Sequence, residues 1–367
     1  MTKSSISAVG LLIHKGSKKE IDLLKTDKHN PRRRFYTFPE DTDLIEHDGY
    51  GFVYAADLSL KQILSIDSDA QDEDFANNYY NLFLAQIVNI IELSPVGSAL
   101  LNDAADRNWR VHLVDLDNGD FLIDPHTRLI EINHHGLKPE GLMRSAYFGN
   151  QVLLNLVRAL RDVWHEKRQT NWYNLFAPEG LLLLERCRSA DCDVLSILVA
   201  WELRSEGHTD IWRHCIGSDI GDMAMMYSQT LERDPAAQFN GKALYNTFKS
   251  WFDSEERSNN SDHQTLEYLD DMLESGHDKK DFGKKMPTHI AIELLSCMPD
   301  KTAYLQGHGR EILMGPNFSG LNDPMNQTHL MHILYDMEAT IINNVPFRDA
   351  ELAARIFPPG TGILEDQ

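Results

Sequence analysis

Between Asn78 and Leu93, apolar residues recur at 79, 82/83, 87 and 90/91, the spacing of an amphipathic helix. Ser94-Pro95 then predicts the end of that helix and the start of another, with Ser94 as N-cap and Pro95 at its first position. The period changes after Trp109, where Val111 and Leu113 alternate with His112 and Val114. "DNGD" (Asp117 to Asp120) is a turn signal, because Asn-Gly accepts positive φ at little cost. "FLID" and "RLIEIN" continue the extended pattern on either side of "PHT". A hairpin or three-stranded meander is predicted over about 109–133. After "HHGLKPEG" the helical period returns. Gly149, Leu153, Leu156/Val157, Leu160 and Trp164 form one stripe of a helix over about 142–167. Pro178 opens a second long helix, running to about Glu206. Its stretch "LLLLERCRSADCDVLSILVAWEL" is apolar round much of its circumference, which predicts a central, buried element. Shorter helices are expected at 219–233, 241–252, 262–274, 287–297 and 327–344.

The first 75 residues are mixed, with strand-like runs in "AVGLLIH", "EIDLL" and "GYGFVYAADL". "DSDAQDED" (Asp67 to Asp74) is a polar boundary, and the Lys/Gly-rich stretch from Gly276 to Pro287 is a second. Three units follow: an N-terminal mixed segment, 1–75; a core, 76–275; and a C-terminal helical segment, 288–367. No internal repeat or heptad array is visible. Short strands, helices, a β region and then mostly helix is the order of an α+β protein.

Charge narrows the function classes. A formal net charge of −21 over 367 residues repels phosphate backbones and anionic lipid, so neither nucleic acid nor a membrane surface is an expected partner. "PRRRF" at Arg32–Arg34 is a solvated loop on this reading. The longest N-terminal apolar run, Ala8 to Ile13, is too short for a signal sequence or a span. Cys187, Cys192, Cys215 and Cys297 form no Cys-x-x-Cys. That predicts reduced thiols and a cytoplasmic location.

The chemistry candidates are fragments. "WHEKRQ" (Trp164 to Gln169) places His165 and Glu166 as in His-Glu-x-x-His, with Gln169 at the second ligand position. Zinc hydrolases need two imidazoles one helical turn apart and a Glu beside the first to activate water. Gln is a poor zinc ligand. The competing reading is an exposed helix end, with Lys167 and Arg168 suited to the dipole. On the following helix Asp191 interrupts the apolar row Leu184, Cys187, Val194/Leu195, Leu198. A carboxylate there must be paired, metal-bound or protonated; Arg158, Arg161 and Arg186 are the candidate partners. His134-His135 point apart in a strand, and His329 with His332 fit a helix edge better than a metal site. No Gly-x-Ser-x-Gly element and no phosphate-binding loop occurs.

"RALRDVWHEKR", the long helix after it, "WRHCIGSDIGDMA", "LERDPAAQFNGKAL" and "DHQTLEYLDDML" resemble an uncharacterised bacterial family classed with the metallopeptidases, over about residues 95–275. The resemblance implies a zincin-like core, a β meander packed on long helices. It puts the first ligand on His165, the general base on Glu166, the second ligand on Gln169 and the third on Ser189, with Asp191 and Asp193 nearby. If the site is active, zinc is held by His165 with Asp191 or another acid, and Glu166 polarises a bound water. With two ligands missing, the expectation is a degenerate member that holds no tight zinc. The alternative is a non-catalytic protein that binds a peptide or protein partner.

Overall fold

The computed structural model describes residues 58–64, 79–116, 119–168, 172–274, 282–338, 340–342 and 345–347. The strand-like runs before Leu58, Asp117-Asn118 of the turn signal, and Gln169 lie outside the described residues. The architecture is α+β, mostly helical with a small mixed sheet.

In chain order the elements are β1 (Leu58–Ser59), α1 (Leu60–Leu64), α2 (Tyr79–Glu92), α3 (Pro95–Asp106), β2 (Arg110–Val114), β3 (Phe121–Asp124) and β4 (Leu129–Asn133). Then come α4 (Pro139–Arg144), α5 (Ala146–Glu166), α6 (Trp172–Leu175), α7 (Pro178–Ser205), α8 (Thr209–Ile216), α9 (Gly221–Arg233), a 3-10 turn (Pro235–Gln238), α10 (Lys242–Trp251) and α11 (Glu255–Glu274). The last elements are α12 (His289–Leu295), α13 (Gly309–Met314), α14 (Pro316–Ser319), α15 (Pro324–Glu338), β5 (Thr340–Ile342) and β6 (Val345–Phe347).

The Ser94-Pro95 boundary is built as the sequence predicts. The Ser94 hydroxyl accepts from the Gly97 N–H at 2.9 Å, which satisfies one of the donors left free at a helix start. It also donates to Glu202 of α7 at 2.5 Å, so the cap is pinned to the central helix.

The extended region differs from expectation in topology. Its three strands lie where the alternation places them, and β3 and β4 form an antiparallel hairpin across "PHT", but the three do not form a meander. The sheet order is β1-β2-β4-β3, with β4 parallel to β2 and antiparallel to β3. The strands on either side of "DNGD" are therefore not a hairpin. Burial supplies the reason. Ile130 and Ile132 of β4 are fully buried, so the most apolar strand takes the centre, paired on both edges, and β3 takes the rim. The six residues 115–120 are ample to step across one strand, a span of roughly 10 Å. Asn133 fixes that step: its amide donates to the Leu116 and Gly119 carbonyls at 3.1 and 2.9 Å.

The inner face of the sheet packs on α5, and α5 packs along α7. The expected 142–167 helix is broken at Ser145, whose side chain caps α5 by accepting from Phe148 N–H. α7 is the axis of the molecule. Twenty-two of its residues are buried, charged ones included, and α3, α5, α8, α10, α11 and α12 all pack on it. That breadth of contact is why its sequence lacks a polar face.

After α11 the chain returns to the core at Phe282, which is buried. Gly283 donates to the Tyr173 carbonyl at 3.0 Å, and Ala177 donates to the Lys285 carbonyl at 2.9 Å. The approach at Gly283 is so close that a Cβ would lie 1.9 Å from the Leu175 carbonyl carbon. Only glycine fits there. The helix expected over 327–344 ends at Glu338, and β5 and β6 pair antiparallel beyond it. The β-branched run Thr340, Ile341, Ile342 favours strand over continued helix.

Candidate functional site

α5 and α7 run antiparallel, and charged residues meet across an otherwise apolar seam. Arg158 pairs with Asp193 at 2.5 Å and Arg161 with Asp191 at 2.5 Å. Asp162 pairs with Arg188, which also takes Glu166 at 2.6 Å. On α5 the positions 158, 161/162 and 165/166 recur at helical spacing and point one charged row at α7. Arg186 is on the far side of the seam, bound to Asp262 of α11 by two hydrogen bonds of 2.5 and 2.7 Å.

Asp191 is the hub. It is 0% exposed. Its Oδ2 accepts from Arg161 Nε at 2.5 Å and from His165 Nε2 at 2.7 Å, and its Oδ1 accepts from the Tyr304 hydroxyl at 2.6 Å. Burial pushes this carboxyl up, but the Arg161 charge and the His165 hydrogen bond outweigh it and bring it down to about 2. Asp191 is therefore ionised and can only accept, so the His165 nitrogen facing it carries the proton. Burial also drives His165 down to about 4, with Asp191 opposing and Arg161 adding to the fall. The imidazole is neutral at pH 7. Arg161 Nη1 and Nη2 donate to the Cys297 and Leu295 carbonyls, at 3.0 and 3.1 Å. The end of α12 is thereby tied to α5 and α7.

The sequence-predicted site residues fare unequally. His165 and Asp191 come together. Glu166 ends α5 and turns to Arg188 instead. The exposed-helix-end reading does not hold for His165, which is 1% exposed. It holds two residues later, at Lys167, whose side chain is 54% exposed. Arg168 folds back over the Trp164 ring, 3.4 Å from its centroid. Ser189 is not near the hub. It lies two residues from Asp191, roughly 200° round the helix, and lines a small polar cavity with Tyr173, Glu185 and Thr265. His329 bonds to Asp270 at 2.9 Å, in keeping with a helix-edge role.

Sequence reasoning named Arg161 among the candidate partners of Asp191, but missed Asp162, Arg188 and Tyr304 as members of the cluster. Asp162 and Arg188 carried a signal, since charges at helical spacing faced a helix with no polar side. Tyr304, 113 residues from Asp191, carried none.

A family model described as "Putative metallopeptidase family (DUF6782)" matches residues 76–305 of the 367-residue chain. The chain belongs to this family. The match runs beyond the resemblance seen at 95–275 and takes in Tyr304 and the carbonyls that Arg161 grips. No curated protein and no solved structure matches the chain.

For a metallopeptidase-family protein the implied ion is zinc, and the donors at this hub do not fit it. Zinc sites use at least three protein ligands with free lone pairs. Here the His165 Nε2 is a donor, both Asp191 oxygens are taken, and the guanidiniums of Arg161 and Arg188 flank the space. Among the described residues no group of three His, Cys, Asp or Glu is placed to hold a metal. No described helix is long and apolar enough to cross a membrane.

Proposed function

We propose that this protein keeps a metallopeptidase-family scaffold, zincin-like in the packing of its sheet on α5 and of α5 along α7, while His165, Glu166 and Asp191 hold the fold together instead of hydrolysing peptides. One observation carries the reading: the Asp191 carboxylate is saturated by Arg161, His165 and Tyr304 in a site closed to water. A hydrolytic centre needs a polarising group facing a substrate-accessible water. Here Glu166 is neutralised by Arg188. Without hydrolysis, the function left to such a scaffold is binding a peptide or protein. Ile290 and Leu294, one turn apart on α12 and 43% and 47% exposed, give an exposed apolar strip suited to that role, with Met286, 53% exposed, shortly before the helix.

The test is metal analysis of untagged protein alongside a peptide-library hydrolysis assay. The expected result is well under about one zinc per chain, against the three-ligand requirement, and no cleavage that His165→Ala abolishes. Stoichiometric zinc released by His165→Ala, together with loss of cleavage, overturns the reading.

A further inference from the structure

The residues that converge on Asp191 define a register different from the one "WHEKRQ" offers. Arg161 and His165 stand at i and i+4 on α5, one turn apart on the same face, and Asp191 reaches them from the next long helix, α7. Two positions a turn apart plus an acid from a second helix is the donor arrangement of a helix-borne zinc site. The residue after the first position is an acid too: Asp162 stands where the water-activating Glu of such a motif stands. Arg161-Asp162-Val163-Trp164-His165 thus occupies the His-Glu-x-x-His frame, and His165 is its second ligand position, not its first.

We propose that the Arg161 guanidinium replaces a metal ion at this hub, supplying within the Arg161/His165/Asp191 triangle the positive charge that a dication supplies in an intact site. The inference rests on the reading above and deepens it. Three features support it. An ionised carboxylate as buried as Asp191 is costly without a cation in contact, and Arg161 provides one at 2.5 Å. Arg161 also joins three segments, α5, α7 and the end of α12, as a structural ion does. Asp162 and Glu166, the two acids that either register would use on water, are both consumed by Arg188. A chain that has lost its metal must satisfy these charges internally, and fixed guanidinium forks do so without an ion.

The experiment rebuilds the site. The double variant R161H/D162E is purified without a tag, loaded with zinc sulfate, passed through gel filtration in zinc-free buffer, and assayed for metal and thermal midpoint. The expected result is about one zinc per chain, against less than about a tenth of that for the unaltered protein, with a midpoint that rises when zinc is added. Adding D191A to the double variant should abolish retention, whereas adding Q169A, which removes the second ligand position of the 165–169 frame, should leave it unchanged. That contrast separates the 161–165 frame from the 165–169 frame. A double variant that folds and retains no zinc, or one that stays unfolded with zinc present, overturns the inference. So does retention that depends on Gln169 and not on Asp191. Failure of the earlier reading is distinguishable, because it shows as zinc on the unaltered chain.

Discussion

Asp191→Ala removes the hub of the α5–α7 seam, and its cost can be worked from what stays behind. Arg161 is 0% exposed, so its guanidinium cannot reach water. It keeps the Cys297 and Leu295 carbonyls but loses the carboxylate it pairs with. The Tyr304 hydroxyl and the His165 N–H lose their acceptor as well. Breaking a buried pair from one side costs about 3–5 kcal/mol, most of it the penalty of the stranded charge. Against a typical domain stability of roughly 5–15 kcal/mol, that is a large fraction. Urea unfolding followed by far-UV circular dichroism reads it as a lower midpoint at unchanged slope. The double replacement R161M/D191L removes both charges and should be less destabilised than Asp191→Ala, since no ion is left stranded. Asp191→Ala within about 1 kcal/mol of the parent, the scale of a surface pair, would refute the reasoning, as would a double variant that is worse than the single.

Acid should unfold the protein in two stages. The folded His165 titrates at about 4, below its ordinary 6.5, so the unfolded chain binds the extra proton; the stability is whole above pH 6.5 and about 3 kcal/mol of it is lost as pH falls to 4. Asp191, held near 2 against an ordinary 3.8, adds a second loss below that range. Thermal midpoints from pH 7 to 3 check this, and His165→Gln should flatten the upper stage alone; an unchanged profile in that variant would contradict the assignment. Gly283→Ala forces a Cβ against the Leu175 backbone and should cost on the order of 1–3 kcal/mol, as overpacking does. Faster tryptic cleavage in the lysine-rich stretch around Lys284 and Lys285 would report it, and equal digestion rates would show that the strand-like contact is dispensable.

Local patterns determined the elements of this chain. α2 and α7 start and stop, and α3 starts, where the apolar period, Ser94-Pro95 and Pro178 place them, because caps and proline act on their own neighbours. The absence of a polar face on α7 was enough to predict its central burial and a paired Asp191. What sequence could not decide was pairing between distant segments. β4 displaced β3 from the sheet centre because burial of Ile130 and Ile132 is settled by what covers them, not by the turn between neighbours. The His-Glu of "WHEKRQ" drew attention to 165–169, yet rotation of α5 against α7 turned 161 and 165 inward and Glu166 toward Arg188. Tyr304 and the Leu295 and Cys297 carbonyls complete the hub from more than 100 residues away. A buried charge takes its partner from whatever the fold brings within hydrogen-bond reach, and that neighbourhood exists only once the helices have packed.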